Sequence, residues 1–390
     1  MSLQILPFIE ISGAPRERGR QYGESARGQI QRSVAFYRDA YARAAKLSWD
    51  EVRARAPRWV PLIDAYLPGV VDEVRGIGEG AGVSFEDILA LNGRGELSAG
   101  NPFEDEKDDG CSSFAVLEEA AGDGHVYCGQ NWDWRSEIAD TVVVLRIVQP
   151  GQPTIIMHAE AGQVGRQGAN SAGIGLNANG LGTRFGAPLG VPGTYIRRKI
   201  LNSPDMHDAL DAVFSAQQTF CTNILLTHRE GFAIDIETTP ARHGWMYPTD
   251  GLLVHANHFI AFVPEQVAET YRPFSVDSLY RVPRIERVLK RGRGVGTSAE
   301  MRELIGTAMR DHFGKPNSVC NHPDPRNDRL VQNQTIASSI VDLTDGHYYV
   351  AAGLPCENEY VKAPWNLYAD ADDHVAERNG RTAAPVGATP

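Results

Sequence analysis

The stretch Asp109-Gly-Cys-Ser-Ser-Phe114 places a cysteine directly after a glycine, where an acidic segment gives way to an apolar run. Glycine leaves its carbonyl unhindered and tolerates strained backbone angles. The thiol of Cys111 can attack the carbonyl of Gly110, and hydrolysis of the thioester would leave Cys111 at a new N-terminus. A free α-amino group has a pKa near 7.7–8.0, so it can act as the general base for its own thiol. Taken alone, the dipeptide also fits a buried structural cysteine.

The sequence differs in character on the two sides of this stretch. Residues 15 to about 100 have helical periodicity, above all in 16–45 and 59–80, and Ser84 with Asp87 forms a helix-start signal. Residues 101–110 are polar and acidic, which predicts an exposed loop. Short β-rich runs dominate from Cys111 onward. The predicted strands are 112–117, 126–131, 141–149, 154–159, 224–227, 232–237, 252–255, 334–342 and 347–352, with helical texture at 194–218 and 275–312.

This order of elements predicts an α+β fold, with two sheets packed face to face and covered outside by helices. The chain after about residue 370 is predicted to be a flexible tail. No internal repeat is evident.

Composition excludes several classes of protein. Of the 390 residues, 42% are hydrophobic and 22% are charged, which is typical of a globular protein. A net charge of −11 argues against a nucleic-acid partner. No run approaches the roughly 18 apolar residues that span a bilayer, and the opening residues lack a secretory pattern, so we expect no membrane association. Five widely spaced cysteines without a CxxC pair argue against disulfides or a cysteine-based zinc site, and they favour a reducing, cytoplasmic setting.

Four further segments occur in a fixed order around Cys111. They are Arg75-Gly-Ile-Gly-Glu-Gly-Ala-Gly before it, and Gly129-Gln-Asn-Trp-Asp-Trp134, Gly168-Ala-Asn-Ser-Ala-Gly and His255-Ala-Asn-His258 after it. As a set, they resemble the acyl-coenzyme A:6-aminopenicillanic acid acyltransferase (isopenicillin N acyltransferase-like) family of N-terminal-nucleophile hydrolases. The choloylglycine and penicillin V hydrolases are more distantly similar. The resemblance runs from about Gly13 to Cys356, and it implies a four-layer αββα sandwich of two antiparallel sheets covered by helices.

The resemblance also implies roles for individual residues. Cys111 matches the nucleophile, Gly110 supplies the cleaved carbonyl, and Asp133 matches the aspartate that holds the new α-amino group. Asn257 matches the asparagine of an oxyanion hole. Either Asn179 or Asn177 would be the second oxyanion donor, and the sequence does not decide between them.

The substrate pocket is harder to place. Trp132 and Trp134 flank Asp133 at period two, so we expect them on the opposite face, in the core or beside the pocket. The bile-salt and penicillin V relatives carry an arginine entering a late strand, but the matching stretch 332–342 has none. Thr335 stands nearest that place, and Arg329 just upstream is the candidate for substrate binding.

The expected product of cleavage is a helical chain of residues 1–110 that stays bound to a chain of residues 111–390. Residues 111–369 of the second chain would form the catalytic core and 370–390 the tail. The two chains would form a heterodimer, with higher oligomers open. The resemblance implies a small-molecule amide as substrate, a thioester acyl-enzyme, and no metal or organic cofactor. Coenzyme A-dependent acyl transfer and an uncleaved binding protein are the alternatives.

Other enzyme classes fit less well. His255 and His258 form an HxxH that would suit a metallohydrolase, but zinc pairs on helices usually sit at i, i+4, and on a strand these side chains would diverge. The signature of papain-like cysteines is absent. The stretch 173–180 lacks the spacing of a dinucleotide-binding loop.

Overall fold

The computed structural model describes residues 6–98, 110–182, 189–265, 268, 271–273 and 275–369. Residues 101–109 of the predicted acidic loop and the predicted tail at 370–390 lie outside these residues.

Eleven α-helices occur in the described residues, and most lie where the periodicity predicts them. Ser84 caps its helix through a reciprocal capping box with Asp87, as predicted. The helices are α1 (Pro15–Ser25), α2 (Arg27–Ala40), α3 (Trp49–Arg55), α4 (Val60–Tyr66), α5 (Val70–Ala81), α6 (Phe85–Asn92), α7 (Arg94–Ser98), α8 (Gly193–Asn202), α9 (Met206–Phe214), α10 (Ser278–Leu289) and α11 (Ser298–Met309). None of them is long and apolar enough to cross a bilayer.

The described residues also form two sheets. The strands are β1 (Phe8–Ser12), β2 (Ser112–Val116), β3 (Tyr127–Arg135), β4 (Val142–Val148), β5 (Ile155–Glu160), β6 (Gly168–Asn170), β7 (Ile174–Gly180), β8 (Thr222–His228), β9 (Phe232–Thr238), β10 (His243–Met246), β11 (Leu252–His255), β12 (Asn333–Asp342), β13 (His347–Ala352) and β14 (Val361–Asn366). The eight-stranded sheet has the order β1-β4-β5-β6-β7-β8-β9-β10. The six-stranded sheet has the order β11-β2-β3-β12-β13-β14.

Three apolar clusters show that the sheets and helices form four layers. The first cluster packs α1–α9 on one face of the eight-stranded sheet, through residues such as Ile77, Leu145 and Ile236. The second lies between the two sheets, and the third packs α10 and α11 on the outer face of the six-stranded sheet. The prediction of an α+β sandwich with two inner sheets is therefore confirmed.

One detail differs from the prediction of purely antiparallel sheets. Strand β1 pairs in parallel with β4, in the register Phe8 to Val144 through Ser12 to Val148. A parallel pair needs a long crossover rather than a hairpin, and here the helices of residues 15–98 and the strands β2 and β3 lie between the two strands along the chain. The segment before Cys111 thus contributes an edge strand as well as α1–α7 of the helical layer on the eight-stranded sheet.

Candidate active site

Cys111 immediately precedes β2 and lies in the layer between the two sheets. Its side chain is fully buried, and it shares this layer with Ala115 of β2 and with Leu117, which follows β2. The intervening Phe114 and Val116 face α10 and α11 instead, as the alternation of a strand requires. The Sγ atom of Cys111 is 3.8 Å from the main-chain oxygen of Asp133 on the neighbouring strand β3.

The carboxylate of Asp133 lies directly against Gly110. A Cβ added to Gly110 would be 2.6 Å from Oδ2 of Asp133, so a larger residue does not fit without a shift. Oδ1 of Asp133 accepts a hydrogen bond of 2.6 Å from the hydroxyl of Thr335, its partner across β12. Both side chains are fully buried. The structure therefore brings Gly110, Cys111 and Asp133 together, as the motif order predicts.

Asn257 lies just after β11, and three contacts fix its position. Its backbone N–H donates to the hydroxyl of Ser278 at 2.7 Å. Its Nδ2 donates to the carbonyl of Gly180 at 2.9 Å, and its Oδ1 accepts from Arg281 at 2.8 Å. One N–H of the amide is used by Gly180, and the second is a donor of the kind that an oxyanion needs.

The residue that joins these groups is Arg281, on α10, and sequence reasoning missed it. Its Nη1 donates to the carbonyl of Gly110, to that of Cys111 at 2.6 Å, and to the hydroxyl of Ser112 at 2.8 Å. Its Nη2 is the donor to Asn257. The guanidinium thus connects the Gly110–Cys111 peptide with the predicted oxyanion asparagine.

Asp277 balances the buried charge of Arg281. The two side chains form an ion pair of 2.7 Å one helical turn apart. Burial alone would raise the pKa of Asp277, but Arg281 and the hydroxyl of Ser275 hold that pKa below its ordinary value. The polar positions 277, 278 and 281 share one face of α10 with the buried Ile285 and Leu289. The sequence signal that could have identified Arg281 is its charged side chain on an otherwise apolar helix face.

The two candidate asparagines of β7 differ in their surroundings. Nδ2 of Asn179 donates to the hydroxyl of Ser113 at 2.9 Å, and its backbone N–H donates to Oδ1 of Asn223 at 2.7 Å. Ser113 lies two residues after Cys111 on β2. Asn177 instead lies beside the thiol of Cys128. Of the two, Asn179 is connected to the strand that carries the nucleophile.

The histidines of the HxxH pattern are engaged elsewhere. Nε2 of His255 is 2.9 Å from Oε1 of Glu237. Burial alone would lower the pKa of His255, but the negative charges of Asp235 and Glu237 raise that pKa above its ordinary value. Nδ1 of His258 is 2.6 Å from the hydroxyl of Ser278. Burial, together with the charges of His255 and Arg281, lowers the pKa of His258 to about 4, so its neutral ring accepts from Ser278 at neutral pH. Neither histidine belongs to a cluster with metal-ligand geometry within the described residues.

The three residues predicted to bind substrate occupy different environments. Trp132 is fully buried between the sheets, with the guanidinium of Arg166 stacked 4.3 Å from its ring centre. Trp134 lies partly buried on the same face of β3, and its Nε1 donates to the hydroxyl of Tyr37 at 2.8 Å. Arg329 is 77% exposed and forms an ion pair with Glu137 at 3.3 Å. The structure does not bring Arg329 to Cys111.

A small cavity of about 40 Å³ lies beside the Gly110–Cys111 peptide. Its lining is mostly polar and includes Gly110, Asp277, Asn321, His322 and Asn333. Such a volume suits one or two water molecules. A buried thiol, a polarised carbonyl, a carboxylate and space for water make this arrangement suited to acyl chemistry.

Comparison with known proteins gives a consistent result. Residues 120–356 match the model of the family described as acyl-coenzyme A:6-aminopenicillanic acid acyl-transferase. The chain is also 27% identical over 321 residues to the acyl-coenzyme A:6-aminopenicillanic-acid-acyltransferase 40 kDa form of Emericella nidulans. That alignment covers 80% of this chain and 84% of the fungal protein.

Two solved structures are distantly similar. A variant of conjugated bile acid hydrolase from Clostridium perfringens is 12% identical, with a TM-score of 0.43, over 62% of this chain and 89% of that one. Penicillin V acylase from Agrobacterium tumefaciens is 12% identical, with a TM-score of 0.40, over 62% of this chain and 83% of that one.

Proposed function

Because the chain belongs to the acyl-coenzyme A:6-aminopenicillanic acid acyl-transferase family, we propose that it is a precursor that cleaves itself between Gly110 and Cys111. The mature Cys111 thiol then attacks the linear amide bond of an N-acylated small molecule and forms a thioester. Water hydrolyses the thioester. Neither a metal nor an organic cofactor takes part in these steps.

The contact between Arg281 and the carbonyl of Gly110 is the observation that carries this proposal. Attack of the Cys111 sulfur on the Gly110 carbonyl carbon develops negative charge on the oxygen that the guanidinium already binds. A fixed donor at that place lowers the barrier, because it needs no reorganisation as the charge forms. The peptide C–N bond then breaks and the thiol proton passes to the nitrogen of Cys111. Hydrolysis of this thioester yields the Gly110 carboxylate and the free thiol and amine of Cys111.

The mature site would use the same groups in new roles. The new α-amino group of Cys111 would form where Gly110 now contacts Asp133, and the carboxylate would orient it as general base and then general acid. Asn257, held by Arg281 and Gly180, would donate to the substrate oxyanion, and Asn179 would support the second donor position. Trp132 and Trp134 would shape the wall on the sheet interior.

The two chains should remain together after cleavage. Strand β1 is hydrogen-bonded along β4, and α1–α7 cover the eight-stranded sheet with a continuous apolar cluster. Residues 1–110 would therefore stay bound to the longer chain as a heterodimer. We place this enzyme in a reducing, cytoplasmic setting, where its nucleophilic thiol stays unoxidised.

Transfer of the acyl group to an amine is the second candidate, favoured by the similarity to the fungal acyltransferase. Hydrolysis and transfer differ only in the group that attacks the thioester. The basic cluster 197–199 offers little to the phosphates of coenzyme A, because Arg198 is fully buried and binds Glu73 through both terminal nitrogens. Partition of a common acyl-enzyme between water and added amines would decide between the two.

Intact mass and N-terminal sequencing of freshly purified protein test self-cleavage. We expect two pieces of about 12 and about 31 kDa, at roughly 110 Da per residue, with the longer one beginning Cys-Ser-Ser-Phe. Cys111→Ala should remain a single uncut chain without amidase activity, whereas Cys221→Ala, at another buried cysteine, should be cut normally. An active, uncut wild-type chain, or amide hydrolysis by Cys111→Ala, would contradict the proposal.

A further inference from the structure

Four side chains with metal-ligand chemistry converge near the active site. They are His312 just after α11, Cys320 and His322 on the following loop, and Cys356 on the loop after β13. Their ligand atoms all lie within 4.8 Å of one another. Cys320 and His322 are buried, Cys356 is partly buried, and His312 is exposed at the rim. The absence of a CxxC pair argues against a cysteine-based site from sequence, but here the fold brings distant residues together.

The three distances from Nε2 of His322 to the other ligand atoms match those of a tetrahedral site. Nε2 of His322 is 3.7 Å from Sγ of Cys320, 3.5 Å from Sγ of Cys356 and 3.1 Å from Nε2 of His312. A tetrahedron with metal–sulfur bonds of about 2.3 Å and metal–nitrogen bonds of about 2.0–2.1 Å has N–S edges of about 3.6 Å and an N–N edge of about 3.3 Å. The observed separations differ from these values by about 0.2 Å or less.

The types of ligand narrow the choice of ion. Two thiolates and two imidazoles suit zinc or another borderline-soft divalent ion, whereas calcium and magnesium need oxygen ligands. Two thiolates also neutralise the charge of a divalent ion, which lowers the cost of holding it in a partly buried place.

We propose that His312, Cys320, His322 and Cys356 form a structural Zn²⁺ site. All four coordination positions are filled by the protein, so the ion has no open position for substrate and differs from a catalytic zinc. This inference does not depend on self-cleavage or on amidase activity.

The cluster is connected to Asp133 of the active site through Asn321 and Thr335. Asn321 lies between the ligands Cys320 and His322 in the chain. Its backbone N–H donates to the hydroxyl of Thr335 at 3.0 Å, and its carbonyl accepts from the backbone N–H of Thr335 at 2.9 Å. The same hydroxyl of Thr335 donates to Asp133. An ion that fixes residues 320–322 would thus fix the partner of the Asp133 carboxylate.

Metal analysis and cobalt substitution test the proposal. The full chain is purified under reducing conditions, its zinc content is measured, and the ion is removed by a chelator and replaced by Co²⁺. We expect one zinc per chain, and visible absorption bands of tetrahedral Co²⁺ together with a thiolate-to-cobalt band. Repeating the titration with Cys111→Ala removes the nucleophile as a competing thiolate. The chelated protein should also melt at a lower temperature than the zinc-loaded one.

Matched variants decide which residues bind the ion. His312→Gln is exposed and Cys356→Ser is partly exposed, so both should fold. We expect each to weaken Co²⁺ binding by about 100-fold or more, since even outer partners of metal ligands are worth about 10–100-fold. His207→Gln and Cys221→Ser should bind normally. Three results would each overturn the proposal. They are a zinc content well below one per chain while the thiols are reduced, a Cys320–Cys356 disulfide in the intact mass, and an equal loss of Co²⁺ binding in the control variants.

Discussion

Nη2 of Arg281 donates to Oδ1 of Asn257 over 2.8 Å, and Nη1 of the same guanidinium donates to the carbonyl of Gly110. The first contact determines the orientation of the asparagine amide, because it assigns the oxygen to Arg281 and leaves the nitrogen as donor. The second contact binds the carbonyl that self-cleavage would attack. One buried side chain therefore links the proposed cleavage step to the proposed oxyanion site.

Replacing Arg281 should slow self-cleavage, provided that the replacement leaves the fold intact. Loss of one oxyanion donor typically costs about 10²–10³ in rate. Arg281→Met alone would leave the Asp277 carboxylate buried and unpaired, at about 3–5 kcal/mol, so we choose Arg281→Met with Asp277→Asn. Cleavage of the precursor, followed by gel electrophoresis after a pulse of expression, should slow by about 100-fold or more.

Arg281→Lys provides the matched control for charge. Lysine keeps the positive charge but cannot place donors on both Gly110 and Asn257 at once. We expect an intermediate cleavage rate, with near-UV circular dichroism like that of the wild type. Wild-type cleavage rates in both variants would show that the guanidinium plays no part in the reaction.

The fit of Gly110 against Asp133 predicts that Gly110→Ala impairs cleavage. Its Cβ would come within 2.6 Å of Oδ2 of Asp133, so either the scissile peptide or the carboxylate must move. A displacement of about 1 Å can cost about 10²-fold in rate. Gly296→Ala is the control, because a Cβ there meets no atom within 4 Å. Mass spectrometry of the purified proteins should show uncut chain for Gly110→Ala alone.

Much of this architecture can be predicted from the sequence, for identifiable reasons. The strands around Cys111 and the hairpin of β12 and β13 have β-rich runs bounded by turn residues, and Ser84 with Asp87 marks a helix start. These are local signals. The parallel pairing of β1 with β4 is not local, since it joins residues more than a hundred positions apart along the chain.

The same distinction applies to the site. Cys111, Asp133 and Asn257 belong to short motifs, and the structure brings the first two together and joins the third to them through Arg281. Arg281 belongs to no motif, and its role depends on how α10 docks on the six-stranded sheet. The same holds for His312 and Cys356, whose proximity comes from two loops that only the folded chain brings together.

The different neighbours of Asn179 and Asn177 lead to a test of the open choice between them. Asn179 contacts Ser113 on the nucleophile's own strand, whereas Asn177 lies beside Cys128, about 7 Å farther along β7. We expect Asn179→Ala to reduce kcat/KM of the mature enzyme by about 10²-fold or more. Asn177→Ala should reduce it far less, while lowering the melting temperature by leaving a gap in the interior. Equal losses of kcat/KM would assign the donor role to neither asparagine.

Glu96 on α7 predicts a pH dependence of stability that is separate from catalysis. Burial raises the pKa of Glu96 from 4.5 to about 7, although its Oε1 accepts a hydrogen bond of 2.7 Å from the backbone N–H of Gly193. The unfolded chain loses this proton near pH 4.5 and the folded chain only near pH 7. The stability contributed by the protonated group is therefore greatest below pH 4.5, and it is lost as the pH rises to about 7.

Glu96→Gln should remove this dependence, because glutamine keeps the acceptor and stays neutral. Urea unfolding in a Cys111→Ala background, where one uncut chain unfolds, measures the effect. At pH 8 we expect the glutamine variant to be more stable than its parent, and at pH 4.5 the two should be nearly equal. A difference in the free energy of unfolding that stays constant across this range would mean that the carboxyl ionises normally in the folded protein.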